Sequence, residues 1–269
     1  MSNYLQFTKT LHITKPTLYG EWHNGPALLE LIDKFCDNLR ILDFTMAGSS
    51  SWCAYLPKIP QVTCVRGRSK DISETAAASF AEFRIDDLSN SFTNLQEVSL
   101  SGLQVCFNRK ADTDPLPLPK LTTLSLNDCS WEYPSQIDDL GSVTDLRVVY
   151  STHHFTHSER LRTFALSPPK TLKSLVIDIK SAYSDDNPTD VAWQPLLKHQ
   201  CKGLVSLEVR GFNFPGEEFF LALPAALTKL KISCRSGKQL STSSWLILKQ
   251  HKRRNQSFSM LLNNELVRL

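Results

Sequence analysis

The sequence predicts an α/β repeat fold, an irregular solenoid with a curved parallel sheet inside and short helices and loops outside. Three observations predict it. First, an apolar phrase of the form Leu-x-x-Leu-x-Leu recurs about every 20 to 30 residues, the mark of a stacked repeat. It is legible at Leu39-x-x-Leu42-x-Phe44, Leu95-x-x-Val98-x-Leu100, Leu121-x-x-Leu124-x-Leu126, Val143-x-x-Leu146-x-Val148, Leu172-x-x-Leu175-x-Ile177, Leu204-x-x-Leu207-x-Val209 and Leu227-x-x-Leu230-x-Ile232. Second, each phrase ends in period-two alternation, which places its last residues on a short strand with the apolar members inward. Third, several of the segments between phrases carry apolar residues at helical spacing.

Weaker copies fill the gaps: Leu11-x-Ile13, Ile59-x-x-Val62-x-Cys64, Phe80-x-x-Phe83-x-Ile85, Leu161-x-x-Phe164-x-Leu166 and a degraded Phe258-x-x-Leu261. They extend one repeat domain over residues 1–269. Only eleven residues separate Leu161 from Leu172, too few for a full strand-helix turn, so an irregularity is expected there. Pro26 through Cys36 reads as a helix, with Leu28, Leu31, Ile32 and Phe35 on one side and the proline at its first turn. Asp190 through Cys201 reads as a second, short or bent because Pro195 falls inside it. Gly216–Leu223 and Ser243–His251 are shorter candidates. The proline-rich stretch Asp112–Pro119 should run extended, and Ser181–Pro188 should project as a loop.

Bulk properties narrow the function. The formal charge of +3 arises from 30 basic and 27 acidic residues, so no strong field draws the chain to nucleic acid or membrane. No apolar run approaches the roughly 18 residues of a membrane span. The first twenty residues lack a continuous apolar core, so no secretory signal is expected and the chain is placed in cytoplasm or nucleus. Seven cysteines without CxxC pairing suit buried apolar positions in a reducing compartment. Asn255-Gln256-Ser257 fits the glycosylation sequon, a short pattern that arises often by chance. No phosphate loop, zinc-protease helix or nucleophile elbow occurs, and the His153, His154, His157 cluster has no matching ligands spaced around it. No catalytic residue, metal or cofactor is expected. The chain reads as a binding module, not an enzyme.

The residues between the apolar anchors would point into the concavity of such an arc. They include His12, Asp43, Glu82, Arg84, Asp86, Glu97, Asp145, Arg147, Asp178, Glu208, Arg210, Lys229 and Lys231, acidic toward the start and basic toward the end. Of these, Asp43, Arg84, Asp86, Asp145, Arg147, Glu208, Arg210, Lys229 and Lys231 are the candidate partner-binding residues. The planar forks of Arg84, Arg147 and Arg210 suit carboxylate or phosphate recognition. Trp131 and Tyr133, just past a strand, are candidate aromatic anchors at the rim.

The phrases resemble the leucine-rich repeat family. Leu28 through Phe44 and Leu196 through Val209 are most similar to the cysteine-containing repeats of F-box proteins, in which a helix ends in cysteine three residues before the first leucine, here Cys36 and Cys201. The resemblance implies that these cysteines are structural. Only Leu121 to Cys129 keeps the family's asparagine or cysteine three residues past the strand; Ala47, Leu103, Ser151, Lys180, Phe212 and Arg235 stand there elsewhere. F-box proteins of this kind serve as substrate receptors of ubiquitin ligases. No F-box is found, so the resemblance implies the target-binding part of such an adaptor, its partners being a target protein and, if an F-box lies outside this chain, ubiquitin-ligase subunits. The alternative is a structural or regulatory scaffold, effector-like proteins included, that self-associates through an end cap or its convex face.

Overall fold

The computed structural model describes residues 8–14, 30, 32, 34, 37–46, 58–69, 81–85, 87–106, 118–131, 142–150, 169, 171–179, 193, 195–212, 215–234 and 240–269. The chain is α/β, with short helices and mostly parallel strands, and divides into two compact units, Met1–Tyr133 and Pro134–Leu269.

In the first unit, strands β1 (Thr10–Thr14), β2 (Ile41–Met46), β3 (Cys64–Ser69), β5 (Glu97–Ser101) and β7 (Thr123–Asn127) lie side by side in that order, each parallel to the next. Parallel pairing of strands so far apart in sequence needs a crossover every time, and the repeat length supplies it. Alternation does the rest: Leu42 and Phe44, Val98 and Leu100, and Leu124 and Leu126 are all buried. Each such side chain contributes about 1.5–3 kcal/mol on burial.

A turn precedes most strands and extends the phrase by one apolar position. The Val62, Leu95 and Leu121 amides donate to the carbonyls of Ile59, Phe92 and Leu118, and in the second unit Leu172, Leu204 and Leu227 donate to Pro169, Cys201 and Pro224. The side chains of Ile59, Phe92, Leu118 and Cys201 are buried. Two successive amides of the next repeat then share one carbonyl. Arg40 and Ile41 donate to Lys9, Thr63 and Cys64 to Arg40, Gln96 and Glu97 to Thr63, and Thr122 and Thr123 to Gln96. These bonds satisfy the backbone where the chain bends into each strand.

The expected copy at Ile59-x-x-Val62-x-Cys64 is displaced by three residues. The register pairs Leu42 with Val65 and Phe44 with Gly67, so the phrase is Val62-x-x-Val65-x-Gly67, and Ile59 is its turn residue. The copy near Phe83 is also reassigned. Strand β4 (Ala81–Arg84) leaves the main sheet and joins β6 (Leu103–Cys106) and β8 (Ser130–Trp131) in a second, parallel sheet. The chain turns between β5 and β6 at Gly102, with φ of 63°, and between β7 and β8 at Asp128, with φ of 52°. The Gly102 amide donates to the Asn127 carbonyl, linking the two corners. Leu103 and Cys129, which follow those corners, are buried. Helix α1 (Asp87–Ser91), unforeseen in the sequence, buries Leu88 and Ser91.

In the second unit, β9 (Asp145–Tyr150), β10 (Ser174–Ile179), β11 (Ser206–Phe212), β12 (Lys229–Cys234) and β13 (Ser259–Leu262) are parallel in order, and β14 (Glu265–Leu266) closes the edge antiparallel to β13. The β12–β13 register buries Met260, not Leu261, so the degraded copy at Phe258 is corrected to Phe258-x-Met260-x-Leu262. Asp190–Cys201 yields a π-helical turn, Pro195–Gln200, with Leu196 and Leu197 buried. Trp193 packs edge-on against Phe219 at 5.3 Å. Helix α2 (Glu217–Leu221) and helix α3 (Thr242–Arg254) occupy the two shorter helix candidates. Ser241 caps α3, its hydroxyl accepting from the Ser244 amide at 3.1 Å. Residues 30, 32 and 34 are helical, with Ile32 buried, inside the Pro26–Cys36 candidate. The Leu161 copy, residues 112–117 of the Asp112–Pro119 stretch and Ser181–Pro188 lie outside the described residues; the described end of that stretch is a turn and not extended, since Leu118 has a φ of 60° and its carbonyl accepts from the Leu121 amide.

Candidate protein-binding face

The exposed side of the first unit's main sheet is a grid set by register. Its central row runs His12, Asp43, Arg66, Ser99, Ser125, and the next row runs Thr14, Thr45, Arg68, Ser101, Asn127. Asp43 is shared: its Oδ2 lies 3.3 Å from His12 Nδ1 and 3.3 Å from Arg68 Nη2. Cys64, on the same face of β3, is buried under its neighbours, with Arg66 and Glu97 near enough to act on its thiol. Burial, reinforced by the Glu97 charge, raises the thiol pKa, so Cys64 is a neutral packing residue at neutral pH.

In the second unit the central row reads Arg147, Val176, Glu208, Lys231, Leu261, flanked by Asp145, Ser174, Ser206, Lys229, Ser259 on one side and by the Asp178 and Arg210 pair on the other. Glu208 Oε1 receives Arg210 Nε at 2.8 Å and lies 2.9 Å from Lys231 Nζ. Arg210 Nη1 also stands 3.7 Å from Asp178 Oδ2, a carboxylate buried on β10. Partial burial works against the Glu208 carboxylate, but hydrogen bonds from Arg210 and Lys231 outweigh it and hold its pKa below the usual range. The Glu208 hydrogen bond raises the Arg210 pKa in turn. Arg147 and Lys229 are exposed and make no ion pair among the described residues. Asp145 accepts from the Thr144 hydroxyl at 2.8 Å.

The structure therefore brings Glu208, Arg210 and Lys231 together, sets Asp145, Arg147 and Lys229 on the same face, and places Asp43 on the corresponding face of the first unit. It does not place Arg84 there: β4 belongs to the second sheet, where Arg84 pairs in register with Cys106. Trp131 contributes its backbone to β8 in that same sheet, again away from the main one. Asp86 and Tyr133 lie outside the described residues, as do His153, His154 and His157. The expected run from acidic to basic is also revised. Arg66 and Arg68 stand beside Asp43, and Glu208 and Asp178 stand among the bases, so charges alternate within each unit. Reading the sequence missed both arginines because the phrase was placed three residues early; a buried turn residue preceding each phrase is the signal that finds them.

Among the described residues no group of histidine, cysteine, aspartate and glutamate could hold a metal ion, and no helix is long and apolar enough to cross a membrane. Cys64, Cys201 and Cys234 are free thiols. Burial pushes Cys201 up to about 12 and Cys234 up to about 11. The sequon is committed to structure: Asn255 Nδ2, the atom that would carry a glycan, donates to the Leu227 carbonyl at 2.9 Å. No protein family's sequence profile matches the chain, and no curated protein matches it.

Proposed function

We propose that the chain is a leucine-rich repeat solenoid that works as a protein-recognition module, meeting a partner protein with the solvent face of its parallel strands. The observation that carries this reading is the charged grid of the second unit. Arg210 and Lys231 are held by Glu208 on adjacent strands, while Arg147 and Lys229 are presented to solvent on the same face. Pre-positioned charged forks lower the ordering cost of binding and select partners of opposite pattern. The cysteine-containing phrases make the substrate-recognition part of a ubiquitin-ligase adaptor the favoured setting, in cytoplasm or nucleus.

The test is crosslinking with mass spectrometry on the immobilised chain in native extract. One saturable partner, retained at moderate salt and lost in Arg147→Glu and Lys229→Glu variants of unchanged melting temperature, supports the reading. A partner set unaffected by both variants, or none that saturates, overturns it.

A second reading, a self-associating scaffold, draws on the exposed Leu221, Leu246 and Leu266, which are 59%, 58% and 66% accessible. Leu266 lies on β14, the end strand of its sheet, whose unpaired edge can template pairing with a second chain. It requires a sedimentation mass above that of one chain that falls in Leu246→Glu or Leu266→Glu.

A further inference from the structure

We propose that Arg66 and Arg68 form a receiving site for a single phosphate group carried by a phosphorylated segment of the partner, an inference that rests on the protein-recognition reading. The two arginines stand at positions i and i+2 of β3, on the same side of the sheet and about 6–7 Å apart along the strand. Both are exposed. Register sets hydroxyls against them: Ser99 lies beside Arg66, and Thr45 and Ser101 lie on either side of Arg68.

Their donors are only partly used. Arg66 makes no ion pair with a carboxylate among the described residues. Arg68 spends Nη2 on Asp43 at 3.3 Å and on His12 at 3.5 Å, leaving Nε and Nη1 for a ligand. A guanidinium carries five donors in a fixed fork, so one shared edge does not exhaust it.

The chemistry favours phosphate over carboxylate. Asp43 already supplies one carboxylate to Arg68, and a second carboxylate has only two acceptor oxygens, enough for one fork. A phosphate monoester carries close to two charges at neutral pH and three acceptor oxygens, enough to engage both forks and a hydroxyl. The same acids argue against a nucleic-acid backbone. Continuous phosphates need several cations in a line, whereas Asp43 and Glu97 flank this pair on both sides.

The experiment uses the full chain and a fluorescent peptide pool with randomised flanks around one fixed phosphoserine. The same pool with serine, and with glutamate, at the fixed position serves for comparison. Saturable binding about tenfold or more tighter for the phosphorylated pool, reversed by inorganic phosphate, is expected. Arg66→Gln and Arg68→Gln should each weaken it about tenfold, whereas Arg253→Gln, an exposed cation on α3, should leave it unchanged. Circular-dichroism melting of each variant excludes unfolding as the cause. Equal binding of the glutamate pool, equal displacement by single-stranded DNA, indifference to both substitutions, or no saturation overturns the inference. A chain that ignores phosphoserine yet keeps an Arg147-dependent crosslinked partner overturns this inference alone; a chain that shows neither overturns the recognition reading with it.

Discussion

Gly67 is where it is because the ring of Phe44 lies over it. A Cβ built on Gly67 would stand 2.7 Å from both Cε2 and Cζ of Phe44 and 3.1 Å from Leu100 Cδ2. The ring has little room to retreat, since it is itself buried and stacks on Phe83 at 5.7 Å. Phe44 thus fills the layer that its own repeat and the next would otherwise share, and the phrase in β3 ends without a side chain.

Gly67→Ala should destabilise the chain by about 1–3 kcal/mol through overpacking. Phe44→Leu should be destabilising alone but should relieve part of that penalty in the double variant, because the branched side chain withdraws the atoms nearest Gly67. Urea unfolding of the four chains measures the coupling. Strictly additive penalties would mean that the ring does not constrain this position.

This pair also marks what the sequence could disclose. The seven strong phrases all became strands, because alternation and burial are one physical fact stated twice. The phrase in β3 was misplaced because Ile59, a turn residue, is as apolar as an anchor, while Gly67 offers no apolar signal at all. Strands β6 and β8 were illegible for another reason. They are four and two residues long, and they follow corners that depend on positive φ at Gly102 and Asp128. The charge pattern of the face needed cross-strand register, and so Arg66 and Arg68 emerged beside Asp43 only in the structure.

The Glu208 cluster should leave a signature in acid. Its folded pKa is depressed below the ordinary value of 4.5, so its contribution to stability is complete above that pH and is lost as pH falls through the folded value. Glu208→Gln should therefore be less stable than the parent at pH 7, and the difference should shrink below about pH 4.5. Chemical denaturation from pH 3 to pH 7 tests this; a difference independent of pH would remove the ion pairs from the account.

Cys201 should behave as a buried apolar group. With its thiol pushed up to about 12, it should resist a thiol reagent at pH 8 until the chain unfolds. The linkage has the opposite sign to that of Glu208. A raised folded pKa gives stability that is complete below the unfolded value of 9.0 and is lost as pH rises toward the folded one. Cys201→Ala should be less stable at pH 7 from the cavity it leaves, yet show a shallower loss between pH 8.5 and pH 10. Rapid labelling of the native chain at this cysteine, mapped by mass spectrometry, would contradict the burial.

Asn255 joins the end of α3 to the start of β12, and its replacement should be costly for a residue that is not fully buried. Its Nδ2 donates to Leu227 O at 2.9 Å, and its Oδ1 accepts from the Ser257 amide at 3.2 Å. The Leu227 carbonyl also lies 3.3 Å from His251 Nε2, so one backbone oxygen gathers two side chains. Asn255→Ala removes both bonds and should cost about 1–3 kcal/mol, read as a lower urea midpoint with unchanged slope. Asn255→Asp keeps the acceptor but sets a carboxylate against the Leu227 carbonyl, and should be no better than alanine at pH 7. An aspartate variant as stable as the parent would show that the Nδ2 bond contributes nothing.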